Sequence, residues 1–94
     1  MLTEKEAWES TLQELQEGGG GWMCHSIEAL LHRGDISFEA FDKMMAKIEA
    51  AAYALHLTKS QMNDGGLWGY SSPKRFAWVK KQIKRLEKSE NVPV

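Results

Sequence analysis

The sequence predicts an all-α protein, a compact bundle of about four helices within a single domain of residues 1–94. Apolar residues recur at intervals of three and four in four segments, and helix-start signals precede several of them. No segment alternates apolar and polar residues for long enough to form a convincing strand. A chain of 94 residues supports one core, which excludes a doubly wound cofactor fold, a polymerase or a kinase.

The first predicted helix follows a capping box, in which Thr3 caps the helix and Glu6 reaches back to the cap. Its apolar residues then follow at helical spacing, at Trp8, Leu12 and Leu15. The helix ends before a run of four glycines, residues 18–21, for which ordering costs the most backbone entropy. We interpret the run as a flexible joint between two helices, or as a place where the backbone approaches another group closely.

The second predicted helix covers Met23 to Arg33, with Met23, Ile27 and Leu30 on one face. Gly34 fits a left-handed stop after it.

Ser37 is placed to cap the third helix, which has the strongest periodic signal in the chain. We expect this helix to be the central core helix. Its predicted apolar stripe consists of Phe38, Phe41, Met45, Ile48, Ala52 and Leu55.

A second capping box, Thr58 with Gln61, predicts a short extra helical turn. It is followed by an aromatic loop at residues 63–72 and then by the last helix, which Ser72 caps and Pro73 opens. We expect this helix to run to about Lys88 and residues 89–94 to form a flexible tail. Its predicted core stripe is Phe76, Val79, Ile83 and Leu86.

The net charge of −1 argues against a globally cationic nucleic-acid coat protein, but the charge is unevenly distributed. Residues 1–17 carry five acids and one base, whereas residues 73–94 carry seven bases and two acids. Two explanations fit this uneven distribution equally well. Either the first and last helices pack side by side and complement each other, or the last helix presents a functional basic surface.

The start of the last helix has the chemistry of an anion site, because its free backbone N–H groups and helix dipole favour phosphate or carboxylate. The predicted phosphate-holding residues are Ser71, Ser72, Lys74 and Arg75, with Lys81 and Arg85 extending the positive field. The predicted stacking residues are Trp68, Tyr70 and Trp78. The alternative is structural, since Ser-Ser-Pro is an ordinary helix start and tryptophans often belong to the core.

Other patterns indicate neither catalysis nor a metal site. His25, Glu28 and His32 share one helical face, but no second ligand cluster completes a site, so we interpret them as a polar surface and expect no cofactor. No nucleophile elbow, P-loop or dinucleotide fingerprint is present, and we expect no enzymatic activity. The single Cys24 excludes an intramolecular disulfide and is expected to be a buried structural residue.

Two further expectations concern location and assembly. The acidic N-terminus, the single cysteine and the lack of a long apolar run predict a soluble protein of the cytoplasm. Four tryptophans are many for so short a chain, and any left outside the core would favour a homo-oligomer or partner interface.

The order of several features resembles small proteins encoded by bacteriophages. These features are Cys24-His25-Ser26-Ile27 after the glycines, Ile36-Ser37, Met44, Leu67-Trp68, Arg75, Trp78 and the closing segment Ile83 to Leu86. The resemblance implies a non-catalytic accessory factor in the infected bacterial cytoplasm. Such factors inhibit host defence by capping a host protein or by sequestering a nucleotide second messenger, the latter often as oligomers with basic, aromatic-lined pockets.

We therefore expect a self-associating binding protein that sequesters an anionic, nucleotide-like ligand. One alternative is a protein inhibitor that contacts a host enzyme through the acidic first helix or exposed tryptophans. A second alternative is DNA or RNA binding through the basic last helix.

Overall fold

The computed structural model describes residues 1–17, 22–64 and 73–90, and side chains within 1–17, 22–62 and 73–88. These residues form five helices and no strand. The helices are α1 (Glu4–Gln16), α2 (Met23–His32), α3 (Phe38–Ala54), α4 (Lys59–Asp64) and α5 (Pro73–Glu90). The predicted all-α bundle is confirmed, with one helix more than expected because the extra turn forms α4.

The helix starts agree with their sequence signals. The backbone N–H of Thr3 donates to the Glu6 carboxylate at 2.9 Å, and the Glu6 N–H donates to the Thr3 hydroxyl at 3.1 Å. Thr58 and Gln61 form the same reciprocal pair at 2.9 and 3.1 Å. The Ser37 hydroxyl accepts the Ala40 N–H at 3.1 Å. Each signal needs only neighbours three residues away, which is why the sequence alone reveals it.

The ends of the helices differ from the predictions by a few residues. Gly34 has a φ of +76°, the left-handed conformation expected of a helix stop. The break predicted at residue 63 begins later, since α4 continues through Asp64, and α5 runs two residues beyond Lys88. The predicted joint at residues 18–21 lies outside the described residues.

The core lies around α1, which packs against α2, α3 and α5. Trp8 and Leu15 of α1 are fully buried, together with Ile27 of α2, Met44 of α3 and Val79 of α5. The remaining predicted apolar residues of α5, Phe76, Ile83 and Leu86, are partly buried against this core.

The predicted stripe of α3 is only partly correct. Its buried residues are Met44, Ile48 and Ala52, whereas Phe38 is 72% exposed and Leu55 is 46% exposed. The buried positions are four residues apart, so the buried face of α3 is rotated relative to the predicted stripe. Phe38 and Leu55, the two ends of the predicted stripe, lie outside this buried face. Periodicity indicates that a helix has an apolar side, but neighbouring helices decide how much of that side they cover.

The acidic α1 and the basic α5 do pack side by side. In the described residues, an ion pair joins the two helices between Lys5 of α1 and Glu87 of α5, at 3.7 Å. Its base comes from the acidic helix and its acid from the basic helix, which is the reverse of the overall charge distribution. Glu6 and Glu9 of α1 remain exposed, as do most bases of α5. In the described part of the chain, packing of α1 against α5 therefore does not pair the acids of α1 with the bases of α5. No described helix is long and apolar enough to cross a membrane.

Candidate ligand-binding cleft

A cleft of about 360 Å³ lies between α3 and α5, the two helices that flank α1. Its α3 side consists of Lys47, Ala50, Ala51, Ala54 and, just after the helix, Leu55. Its α5 side consists of Trp78, Lys81, Gln82 and Arg85. The volume is at the small end of the range for ligand pockets, about 300–1,000 Å³.

Cationic side chains line both sides of the cleft. Lys81 and Arg85 are exposed and four residues apart on α5, a spacing that puts neighbouring side chains on one helical face. Lys47 approaches from α3. The described lining residues include no carboxylate, so their field inside the cleft is positive and favours an anion.

A hydrogen-bond network fixes Lys47 to α1. Its ammonium donates to Oε2 of Glu4, and the indole Nε1–H of Trp8 donates to the same oxygen at 2.9 Å. The Glu4 side chain is 13% exposed and that of Lys47 is 36% exposed, so the pair is partly shielded from solvent. Lys47 therefore has an internal counter-ion.

Trp78 forms the boundary between the cleft and the core. Its ring meets the ring of Trp8 in an edge-to-face contact, with centroids 5.4 Å apart and planes at 83°. The buried side chain of Gln82 donates to the Trp78 carbonyl at 3.2 Å and lies in the same wall. Trp78 is half-buried, and its cleft-lining surface offers an aromatic platform.

Small side chains explain why the cleft exists. Ala50, Ala51 and Ala54 line its α3 wall, and their methyl groups leave space that longer side chains would fill. Together with Leu55 they make an apolar surface across from the cations of α5. The arrangement suits a ligand with both an anionic group and a flat apolar part.

Three of the predicted ligand-binding residues, Trp78, Lys81 and Arg85, are brought together in this cleft. Lys74 is exposed near the start of α5 and is not among the lining residues. Arg75 is fully buried, so it does not belong to the exposed helix start that the sequence argument described. The other predicted residues, Trp68, Tyr70, Ser71 and Ser72, lie outside the described residues.

Sequence reasoning missed Lys47 and Gln82. Neither had a local signal, because the interactions that matter depend on the fold: Lys47 meets Glu4 across 43 positions of sequence. Gln82 resembles any polar residue of an exposed helix, yet it is 2% exposed.

Two other residues that the sequence singled out, His25 and Cys24, do not line the cleft. His25 is exposed and stacks on Trp22, with ring centroids 5.3 Å apart, and no group of three possible metal ligands occurs in the described part of the chain. Cys24 is buried, and burial with the nearby Glu28 charge raises the pKa of its thiol. A raised pKa leaves less of the reactive thiolate, as the structural interpretation expects.

Comparison with models of protein families, with curated proteins and with solved structures finds no match to this chain. Arguments about function therefore come from the cleft itself.

Proposed function

We propose that the protein is a non-catalytic binding protein that holds an anionic, nucleotide-like ligand in the α3–α5 cleft. The observation that supports it most directly is the convergence of Trp78, Lys81 and Arg85 on one cavity. The sequence alone predicts stacking for the first and positive charge for the other two, but the cavity also needs the residues of α3.

In this proposal the ligand's ring lies against Trp78, and its anionic group contacts the side chains of Lys81 and Arg85. Stacking of a base on an aromatic side chain is worth about 1–3 kcal/mol. Arginine adds directional hydrogen bonds because its planar guanidinium can hold two oxygens at once. The alanine wall of α3 covers the apolar side of the ligand.

The proposed biological role is sequestration. The resemblance to small bacteriophage proteins supports an anti-defence factor that removes a nucleotide signal from a bacterial cytoplasm, acting as a homo-oligomer. Trp8 does not support self-association, because it is fully buried. Exposed Phe38 and Tyr53 of α3, at 72% and 87%, are better candidates for an interface.

Thermal unfolding in the presence of AMP, cyclic AMP, GMP and cyclic dinucleotides tests the proposal. A ligand at a hundredfold excess over its Kd stabilises the folded state by about 2.7 kcal/mol, which raises the Tm measurably. If no member of the panel raises the Tm, and calorimetry detects no binding heat, the proposal fails.

Variants of neighbouring bases then locate the site. We expect Lys81→Ala and Arg85→Ala to abolish most of the ligand-induced Tm shift, because both side chains line the cleft. Lys84→Ala is the matched control, since Lys84 is also an exposed base, lies between them on α5 and does not line the cleft. Equal losses in all three variants would indicate a general effect of charge and contradict a defined site.

A second candidate function is nucleic-acid binding by α5. Six bases of this helix are exposed, and none of them forms an ion pair within the described residues. They are Lys74, Lys80, Lys81, Lys84, Arg85 and Lys88. This function predicts affinity for oligonucleotides that falls steeply with salt, and equal effects of Lys84→Ala and Lys81→Ala.

A further inference from the structure

The cations of the cleft differ in how their charge is balanced. Glu4 already pairs with Lys47, and the Glu4 side chain is only 13% exposed whereas that of Lys47 is 36% exposed. Lys81 and Arg85 form no ion pair with any carboxylate in the described part of the chain. A ligand in the cleft therefore meets two uncompensated positive charges, both from α5, and a third that is already balanced.

Two uncompensated cations on adjacent turns match an anionic group with two negative charges. A phosphate monoester carries about −1.5 to −2 at pH 7, because its second pKa is about 6. A phosphate diester and a carboxylate each carry a single charge. An arginine with a lysine one turn away can contact three terminal phosphate oxygens, the arginine in a fork and the lysine as a point charge.

We infer that the cleft selects a phosphate monoester attached to a flat ring, as in a nucleoside monophosphate, over the corresponding cyclic or other diester. The inference rests on the proposed function and specifies its ligand class. Trp78 provides the surface for the ring, and Lys81 with Arg85 provides the charge that separates the two kinds of phosphate.

Glu4 is the residue that sets this preference from outside the cleft. By balancing Lys47, it keeps the number of available charges at two instead of three. Glu4→Gln retains a carbonyl oxygen that can accept the Trp8 indole N–H but removes the negative charge. The variant then offers a third uncompensated cation, which favours a more highly charged phosphate such as ADP.

The decisive experiment is isothermal titration calorimetry of the full chain with AMP, cyclic AMP, adenosine and inorganic phosphate. We expect AMP to bind at least about tenfold more tightly than cyclic AMP, since its monoester carries up to about one more negative charge at pH 7. Adenosine and inorganic phosphate separate the contributions of ring and anion, and each should bind more weakly than AMP. Equal affinities for AMP and cyclic AMP would overturn the inference while leaving the proposed function intact, whereas no binding of any nucleotide would overturn both.

The pH dependence provides a second measurement on the same protein. Lowering the pH from about 7.5 to about 5.5 protonates the monoester, whose second pKa is about 6. The affinity for AMP should therefore fall, while the affinity for cyclic AMP should not. Among the described residues, the charged groups that line the cleft are Lys47, Lys81 and Arg85, Glu4 pairs with Lys47, and no histidine lines it. Parallel weakening of both nucleotides would assign the change to the protein and contradict the inference.

Variants complete the test. Arg85→Ala should reduce the ratio of AMP to cyclic AMP affinity towards one, while Lys84→Ala should preserve it. Glu4→Gln should raise the affinity for ADP relative to AMP. An unchanged ratio in Glu4→Gln, in a variant that circular dichroism shows to be folded, would contradict the role of Glu4.

A single-stranded DNA oligonucleotide without a terminal phosphate tests the nucleic-acid alternative on the same protein. If it binds as tightly as AMP, that alternative is favoured and selection of a monoester is overturned.

Discussion

The indole rings of Trp8 and Trp78 meet edge to face, with their centroids 5.4 Å apart and their planes at 83°. Trp8 is fully buried in the core, while Trp78 is half-buried and lines the cleft. The Trp8 indole also donates to Glu4, the counter-ion of Lys47. One buried side chain of α1 therefore supports the aromatic wall directly and the α3 cation through Glu4.

We expect Trp8→Phe to lower the free energy of unfolding by about 1.5–3 kcal/mol, measured by urea denaturation. The substitution removes buried ring area, the hydrogen bond to Glu4 and part of the edge contact with Trp78. Trp22→Phe is the control, because Trp22 is half-buried and its ring contact is with the exposed His25. An equal loss in the two variants would show that Trp8 has no special role.

Arg75→Ala should destabilise the protein far more than Lys74→Ala. Arg75 has no exposed surface, so its removal leaves a cavity where its long side chain packs, at a cost of about 2–4 kcal/mol. Lys74 is exposed, and its replacement should change stability by less than about 0.5 kcal/mol. Thermal unfolding of both variants provides the comparison, and similar Tm values would contradict a structural role for Arg75.

The local features of the fold could be predicted from the sequence, because each depends on residues within one turn. The capping boxes at Thr3 and Thr58, the cap at Ser37 and the left-handed Gly34 all belong to this class. The same reasoning placed the start of α5 at Pro73. Such hydrogen bonds and backbone angles involve residues within one turn of each other, so the sequence alone signals them.

The candidate site could be predicted only in part, because burial and pairing depend on which helices become neighbours. The sequence predicted Trp78 as a stacking residue and Lys81 and Arg85 as a source of positive charge, and the structure puts all three in one cleft. Spacing could not show that the adjacent Arg75 is buried. Nor could it show that Lys47 lies across from Lys81, since that relationship arises when α3 and α5 both pack against α1.

Acidification should weaken the first helix through Glu6. The Thr3 backbone N–H donates to the Glu6 carboxylate and lowers its pKa below the ordinary 4.5. A depressed folded-state pKa contributes stability above the unfolded pKa, and this contribution is lost as pH falls through the folded value. The unfolding free energy of the wild type should therefore exceed that of Glu6→Gln near neutral pH and approach it in acid below 4.5.

The matched control for this pH effect is Glu9→Gln, which removes an exposed charge from the same helix outside the capping box. Chemical denaturation at several pH values measures all three proteins. A difference between the wild type and Glu6→Gln that stays constant down to strongly acidic pH would contradict the assigned role of the Glu6 carboxylate.

Filling the cleft from α3 should block a ligand without unfolding the protein. Ala50 lines the cleft and is itself exposed, so a leucine there occupies ligand space while changing stability by no more than about 0.5 kcal/mol. Ala46→Leu makes the same change one turn earlier, at an exposed residue that does not line the cleft. Calorimetry with AMP should show at least a tenfold loss of affinity in Ala50→Leu and none in Ala46→Leu. If Ala50→Leu binds AMP as tightly as the wild type, the ligand lies elsewhere, and the basic surface of α5 outside the cleft becomes the better site.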